Sequence, residues 1–351
     1  MALLTERNIV SGKREDLADL ISLVDAKETP FTSMAKKGSK PGNTHFRWQV
    51  DSLPSPQTGG VIDGTDVSAY DNYVNNGGTQ YRAELSNNIQ IFRRAVRVSK
   101  LSLDIANVAG VRDELANNVA KGITMLKRDM EKTFCGNSGV QDETGSVPYL
   151  TRGLDKWLTH SGATNQASVS ADGHDTLYAV PAAWRLPDAS RLTGSIASGA
   201  LTETSIQDVL TSMFNQTGQF RDVDGLVGTA VKRAFTNLAF TTKVETGATN
   251  SSAASVVRTL NREQGESSYI SSIDVFEGDF GRVRLHPSVF LLSENKGYLI
   301  PFDKVEIKYG GNVAQVTELP DYGAGPARLI EAVAALAVHN PLAFGKLDLS
   351  A

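Results

Sequence analysis

Three features of the sequence predict an α+β fold: one long amphipathic helix, two strand patterns just before it joined by a long polar connection, and a run of strand patterns toward the C-terminus. Across 107–135, Val111, Leu115, Val119, Ile123, Leu126, Met130 and Phe134 recur at steps of three or four, which puts them on one stripe of a 3.6-residue helix that requires a buried partner. Asn107 is an acceptable N-cap; Asp113 and Glu114 lie near the positive end of the helix dipole, and Lys127, Arg128 and Lys132 near the negative end. Gly136 and Asn137 supply a stop, since both tolerate a left-handed closing turn. At about 1.5 Å per residue the helix would run roughly 40 Å.

The other elements follow in chain order. Residues 1–44 read as an arm: a weak helical pattern through Leu17, Leu20, Ile21 and Val24, then Thr29-Pro30 and a stretch rich in Gly, Lys and Pro. His45, Arg47, Gln49 and Asp51 alternate with Phe46, Trp48 and Val50, the period of a half-buried strand. A polar, glycine-rich stretch from 52 to 80 separates it from a second strand pattern over 81–100, and the two make an extended hairpin that must lie on something. Residues 160–203 are rich in Ser, Ala, Gly and Thr and read as a surface insertion. Thr204 with Gln207 suggests a capping box for a helix from 205 to about 216, with Ile206, Val209, Leu210, Met213 and Phe214 on its apolar face. A buried strand near 224–230, a second helix and four further strand patterns lead to a terminal apolar run, 328–341, that is either β-like or helical.

A chain of 351 residues holds about two domains, and 40% hydrophobic with 21% charged residues is ordinary for a soluble globular protein. A net charge of −4 without a basic tail argues against a nucleic-acid arm or a polybasic membrane anchor. The N-terminus lacks the apolar core of a signal peptide, so synthesis in a cytoplasm is expected, with no membrane partner. The one cysteine, Cys135, excludes an internal disulfide and reads as a small buried hydrophobe at the helix end. His45, His160, His174, His286 and His339 have no ligand-type neighbours at metal-binding spacing. Asp279-Phe280-Gly281 spells a kinase tripeptide without any companion motif, and neither a P-loop nor a dinucleotide fingerprint is present. The sequence thus nominates no catalytic, cofactor-binding or metal site, although a two-domain enzyme using the hairpin as a lid stays open.

The stretches ETPFTSMAKKGSKPGNTHFRWQVDSL, RVSKLSLDIANVAGVRDELANNVAKGITMLKRDMEKTF and GDFGRVRLHPSVFLLSENKGYLIPFDKVEI, taken in that order, resemble the major capsid proteins of tailed bacteriophages, whose shared architecture is named after phage Hong Kong 97. The resemblance implies an N-terminal arm (1–44), an E-loop hairpin (45–100), a P-domain (101–159 and 300–351) containing the spine helix at 107–135, the insertion at 160–203 and an A-domain (204–299). It also implies a structural protein that assembles into hexamers and pentamers of an icosahedral shell around double-stranded DNA, without catalysis. Implied partners are other copies of itself, then portal, scaffold and decoration proteins, with no sequence-specific DNA binding; an encapsulin-like compartment is the alternative of the same fold. No lysine lies between Lys40 and Lys100, so the hairpin lacks the amine that some relatives use for a covalent cross-link, and a non-covalent shell is expected. The short arm leaves no room for the cleaved scaffolding segment of some relatives.

Charge distribution suggests how copies would meet. Between Gln49 and Gln90, Asp51, Asp63, Asp66, Asp71 and Glu84 face a single base, Arg82, for a balance of −4, whereas Arg93, Arg94, Arg97 and Lys100 follow at once. Asp63, Asp66 and Asp71 at the hairpin tip are expected to meet Arg93, Arg94, Arg97, Lys121, Lys127 or Arg128 of a neighbouring subunit.

Overall fold

The computed structural model describes residues 28–51, 62–64, 82–104, 113–161, 180–197, 199–219, 221–238, 261–263, 266–268, 274–311, 313–321, 323 and 325–350. In chain order the helices are α1 (Pro30–Met34), α2 (Lys100–Asp104), α3 (Glu114–Phe134), α4 (Leu154–Trp157), α5 (Glu203–Thr217) and α6 (Thr229–Leu238). The strands are β1 (Lys36–Gly38), β2 (His45–Val50), β3 (Ala83–Asn88), β4 (Gln90–Arg97), β5 (Arg191–Ser195), β6 (Arg221–Val227), β7 (Asn261–Glu263), β8 (Glu266–Ser268), β9 (Val275–Gly278), β10 (Gly281–Pro287), β11 (Lys296–Ile300), β12 (Val305–Tyr309), β13 (Gln315–Leu319), β14 (Ala327–Val338) and β15 (Gly345–Ser350). The described residues fall into two compact units: a smaller one drawn from 93–126 and 314–331, and a larger one drawn from 28–92, 127–313 and 332–350. This division falls inside β4, α3 and β14 and differs from the boundaries drawn from the sequence.

The larger unit contains a mixed six-stranded sheet in the order β5-β15-β11-β6-β10-β9. On one face Val223, Val227, Val283, Leu285, Leu299, Leu347 and Leu349 pack with Ile206, Val209, Leu210 and Met213 of α5 and Val231 and Phe235 of α6. Helix α5 starts two residues earlier than its sequence suggested, because Thr202 and Ser205, rather than Thr204 and Gln207, exchange the side-chain-to-backbone bonds of the capping box. It ends at Gly218 with φ 64°, a left-handed close that glycine adopts without strain.

One expectation fails here. The described part of 160–203 is no surface insertion: Val180, Trp184, Leu186, Ser190 and Leu201 are buried, and β5 forms a sheet edge parallel to β15. A few large apolar residues, Trp184 and Leu186 among them, anchor the segment, and overall composition does not weigh them. The C-terminal strand β15 pairs with β11 and β5 in this sheet.

A second layer of the larger unit joins β1, parallel to β12, and β12, antiparallel to the end of β14. Residues 28–38 are therefore docked on their own subunit and are not an outreaching arm; residues 1–27, including the weak helical pattern, lie outside the described residues. Strands β2 and β3 pair antiparallel from His45–Asn88 to Val50–Ala83, so the expected hairpin exists. Its returning segment is split, however, since β4 leaves β2 and pairs with β14.

In the smaller unit β13 lies antiparallel to the first half of β14. The first half of α3 belongs here, and Asp113 caps it by accepting from the Ala116 N–H at 3.1 Å, so the described helix begins six residues later than an N-cap at Asn107 would have it. Its 21 residues span about 31 Å at about 1.5 Å each. Gly122 is required where α3 meets strand side chains, because a Cβ there would lie 2.4 Å from Ile330 Cδ1 and 3.3 Å from Val96 Cγ2.

Candidate assembly surfaces

The hairpin is fixed at its root by side chains of the larger unit. Phe46 stacks on Trp48 at 5.6 Å between ring centroids, and Trp48 touches Trp157 at 5.5 Å and His339 at 5.9 Å. Fully buried Asn87 donates to Thr151 Oγ1 (3.0 Å) and the Leu336 carbonyl (2.6 Å) and accepts from the Arg152 N–H (2.8 Å). Asn88 donates to the Gln141 carbonyl and to Asp142. Buried amides satisfied on several sides fix a single register, because any shift would orphan them.

Charge is handled locally at the root. Arg47 pairs with Glu84 at 2.9 Å and Arg82 with Asp51 at 3.2 Å, so two of the five acids of the hairpin are neutralised across its own strands. An open cleft of about 570 Å³ lies beside them, lined by Gln49, Arg82, Ala83, Glu84, Pro181, Ala183 and Trp184. Asp63 stands exposed in a turn with Ile62 and Gly64, while Asp66 and Asp71 lie outside the described residues.

The expected basic partners are spread across both units. In the smaller one Arg93 already donates to Glu331 at 2.7 Å, so its guanidinium is engaged within its own chain. Arg94 is half-buried on β4, and Arg97 and Lys121 form no ion pair among the described residues. In the larger unit Lys127 is exposed, and the Arg128 guanidinium lies 5.7 Å from the centroid of the Phe290 ring.

The stripe of α3 divides in the same way. Leu115, Val119 and Ile123 are half-buried, Leu126, Met130 and Phe134 are buried, and Val111 lies outside the described residues. Cys135 is fully buried, as a small hydrophobe should be, and burial pushes its thiol well above the usual range. Gly136 does not adopt the left-handed conformation anticipated for it. Its N–H bonds the Thr133 carbonyl at 3.2 Å, and Gly153 packs against it so closely that a Cβ on Gly153 would lie 2.2 Å from the Gly136 oxygen.

Two buried polar centres escaped sequence reasoning. Glu131, with no exposed surface, accepts from the Phe31 N–H (2.9 Å), the Thr32 N–H (2.8 Å) and the Thr32 hydroxyl. It caps α1 from a distance, because the N-cap residue Thr29 makes no side-chain cap bond of its own. Burial raises its pKa against the pull of those donors. Phe31 fills the space between Phe134 and Phe302, at 6.5 and 5.9 Å. The second centre joins Tyr298 and Lys346 to Asp155 at 2.8 and 2.7 Å, and Lys296 and Arg191 to Asp348 at 3.0 and 2.5 Å. Burial alone would raise the pKa of Asp348, but hydrogen bonds from Arg191 and Lys296 and the charge of Lys346 lower it to about 2.

These geometries describe a chain whose buried polar groups are spent on locking segments together. Among the described residues no three His, Cys, Asp or Glu side chains converge as metal ligands would, and no helix is long and apolar enough to cross a membrane. The family model of the SU10 major capsid protein matches residues 5–350. The chain belongs to the SU10 major capsid protein family. A curated relative, the major capsid protein of Escherichia phage Phieco32, is 32% identical over 159 residues, which is 45% of this chain and 40% of that protein's length. The whole described fold has counterparts among solved structures. One from Mycobacterium phage Bobi superposes with a TM-score of 0.58 at 11% identity, covering 100% of both chains. Another, from the cyanophage A-1(L) capsid asymmetric unit, gives 0.56 at 14% identity over 98% of this chain and 99% of that one. The fold of this SU10-type chain is accordingly α+β and Hong Kong 97-like, and a capsid protein of this family is a structural component, not an enzyme with a hairpin lid.

Proposed function

We propose that this SU10-type capsid protein builds an icosahedral virion shell from hexamers and pentamers of itself, enclosing double-stranded phage DNA without reading its sequence. The observation that carries this reading is the family match over residues 5–350, together with a hairpin whose root is locked while its described tip stands exposed. Asp63, Asp66 and Asp71 at the tip are proposed to meet basic side chains of a neighbouring subunit. The proposed basic partners are Arg93, Arg94, Arg97, Lys121, Lys127 and Arg128, of which Arg93 also pairs with Glu331 of its own chain. Each such contact would contribute only about 0.2 to 1 kcal/mol and weaken with salt, yet it would recur in every subunit. The shell holds without a hairpin cross-link, is synthesised in the host cytoplasm, and works with portal, scaffold and decoration proteins.

Size-exclusion chromatography with light scattering tests the reading: capsomers or megadalton particles are expected, and a small oligomer under every condition would contradict it. Reversing Asp63, Asp66 and Asp71 to Lys should slow particle formation without unfolding the subunit. Assembly that is indifferent both to that change and to salt would remove the charged contact.

A further inference from the structure

The sequence has three Asp-Gly pairs, Asp63-Gly64, Asp172-Gly173 and Asp224-Gly225. Asp172-Gly173 lies outside the described residues, and the other two stand in opposite surroundings. In such a pair the side-chain carboxyl carbon is one main-chain rotation from the next backbone nitrogen, and glycine has no Cβ to obstruct a five-membered ring between them. Closing that ring requires the chain at the aspartate to turn freely. Asp63 and Gly64 are exposed in a turn, nothing lies within 4 Å of the place a Cβ on Gly64 would occupy, and Gly64 holds φ 81°. Asp224 and Gly225, by contrast, lie in β6 with ladders on both sides, Gly225 opposite Leu285 of β10 and Leu299 of β11. The Asp224 carboxylate is also bonded to His286 Nε2 at 3.0 Å, and a Cβ on Gly225 would stand 2.9 Å from Val283 Cγ1. Rotation at Asp224 would have to break a central strand out of its sheet, which native proteins do rarely, whereas a turn at a loop tip reorganises at little cost.

We propose that Asp63-Gly64 is a site of spontaneous covalent modification in the unassembled subunit, where the aspartate converts through a cyclic imide to isoaspartate. The Gly64 nitrogen bonds to Asp63 Cγ and a Cγ–O bond breaks. That oxygen leaves as water, carrying the carboxyl proton and the proton lost from the nitrogen. A water molecule then adds to the main-chain carbonyl carbon of Asp63, and the bond from this carbon to the Gly64 nitrogen breaks. The chain now runs through Cβ and Cγ, and the former main-chain carbonyl has become the free carboxylate. One water leaves and one returns, so the mass is unchanged and no oxidant or co-reactant is needed. The product has one more methylene in its backbone and carries the Asp63 charge on a shorter arm, so an aged turn presents its acid in a different place. The site is a property of the free chain and does not depend on the shell reading.

Ageing of the intact wild-type chain tests the site. Unassembled subunits collected by size exclusion are held at neutral pH and physiological temperature and sampled over days. Endoproteinase Asp-N cuts before aspartate and not before isoaspartate, so cleavage between 62 and 63 should decline while cleavage before Asp224 persists. Electron-transfer fragmentation, which locates isoaspartate residue by residue, should show it accumulating at position 63 at least about tenfold faster than at 224. In urea, with the β6 ladders gone, the two positions should convert at similar rates. Gly64→Val, which sets a branched side chain beside the attacking nitrogen, should slow conversion at 63 at least about tenfold. Equal accumulation at 63 and 224 in the folded chain, or none at 63 under conditions where the urea-unfolded chain forms it, would overturn the proposal. Both results are read on free subunits, so neither bears on whether the chain assembles.

Discussion

Replacing Glu131 with Ala removes the carboxylate that holds α1. The Phe31 N–H would be left in a fully buried position with no acceptor, at a cost of about 1 to 3 kcal/mol, whereas half-buried Thr32 can recover water and adds only a fraction. Relief of the buried charge offsets part of this loss. A net weakening of about 2 kcal/mol is expected, confined to the docking of 28–38. Hydrogen exchange with mass spectrometry reads it directly, since about 2 kcal/mol corresponds to roughly 30-fold faster exchange at Phe31 and Thr32. Glu131→Gln keeps the shape and one acceptor without the charge and should lose less than about 1 kcal/mol. The sign with pH follows from the raised pKa: the carboxyl is neutral in both states at low pH, and its contribution falls as pH rises from 4.5 through its folded value. Glu131→Gln should flatten that dependence. Unchanged protection of Phe31 in Glu131→Ala would refute the distant cap.

Asp348→Asn should destabilise the subunit at neutral pH by about 1 kcal/mol, because the depression from 3.8 to about 2 is discounted for solvent screening of a partly exposed carboxylate. In the unaltered chain this contribution is present in full above about pH 3.8 and is lost as pH falls toward 2, so urea midpoints of mutant and wild type should converge there; parallel curves down to pH 2 would contradict it. Gly153→Ala drives a Cβ to within 2.2 Å of the Gly136 oxygen, backbone against backbone, and should lower the melting temperature of the subunit as an overpacking change of about 1 to 3 kcal/mol or more; an unchanged melt would mean the segment at 151–158 can shift freely.

Where one face of an element is buried, its period was legible. The α5 spacing, the β2 alternation and the second half of the α3 stripe all come from side chains that alternate between a core and an open side. The run Ala332–Val338 resisted assignment because almost every position is buried, and a strand covered on both sides loses its period of two. Glu131 was invisible for a different reason. Its partners are backbone groups of residues 31 and 32, a hundred positions away, and a single acid beside Met130 reads as an ordinary helix charge. Gly122 in mid-helix was a usable signal of close approach, since glycine there costs about 1 kcal/mol relative to alanine. The acidic tip was legible as composition, but the pairs Arg47–Glu84, Arg82–Asp51 and Arg93–Glu331 depend on which strands become neighbours.

Self-assembly is the central claim, and a negative-stain electron micrograph of the purified, unaltered chain under assembly conditions tests it most directly. Closed icosahedral particles built from five- and six-fold capsomers are predicted. A field of uniform small particles of one to a few subunits, unchanged across protein and salt concentration, would contradict it.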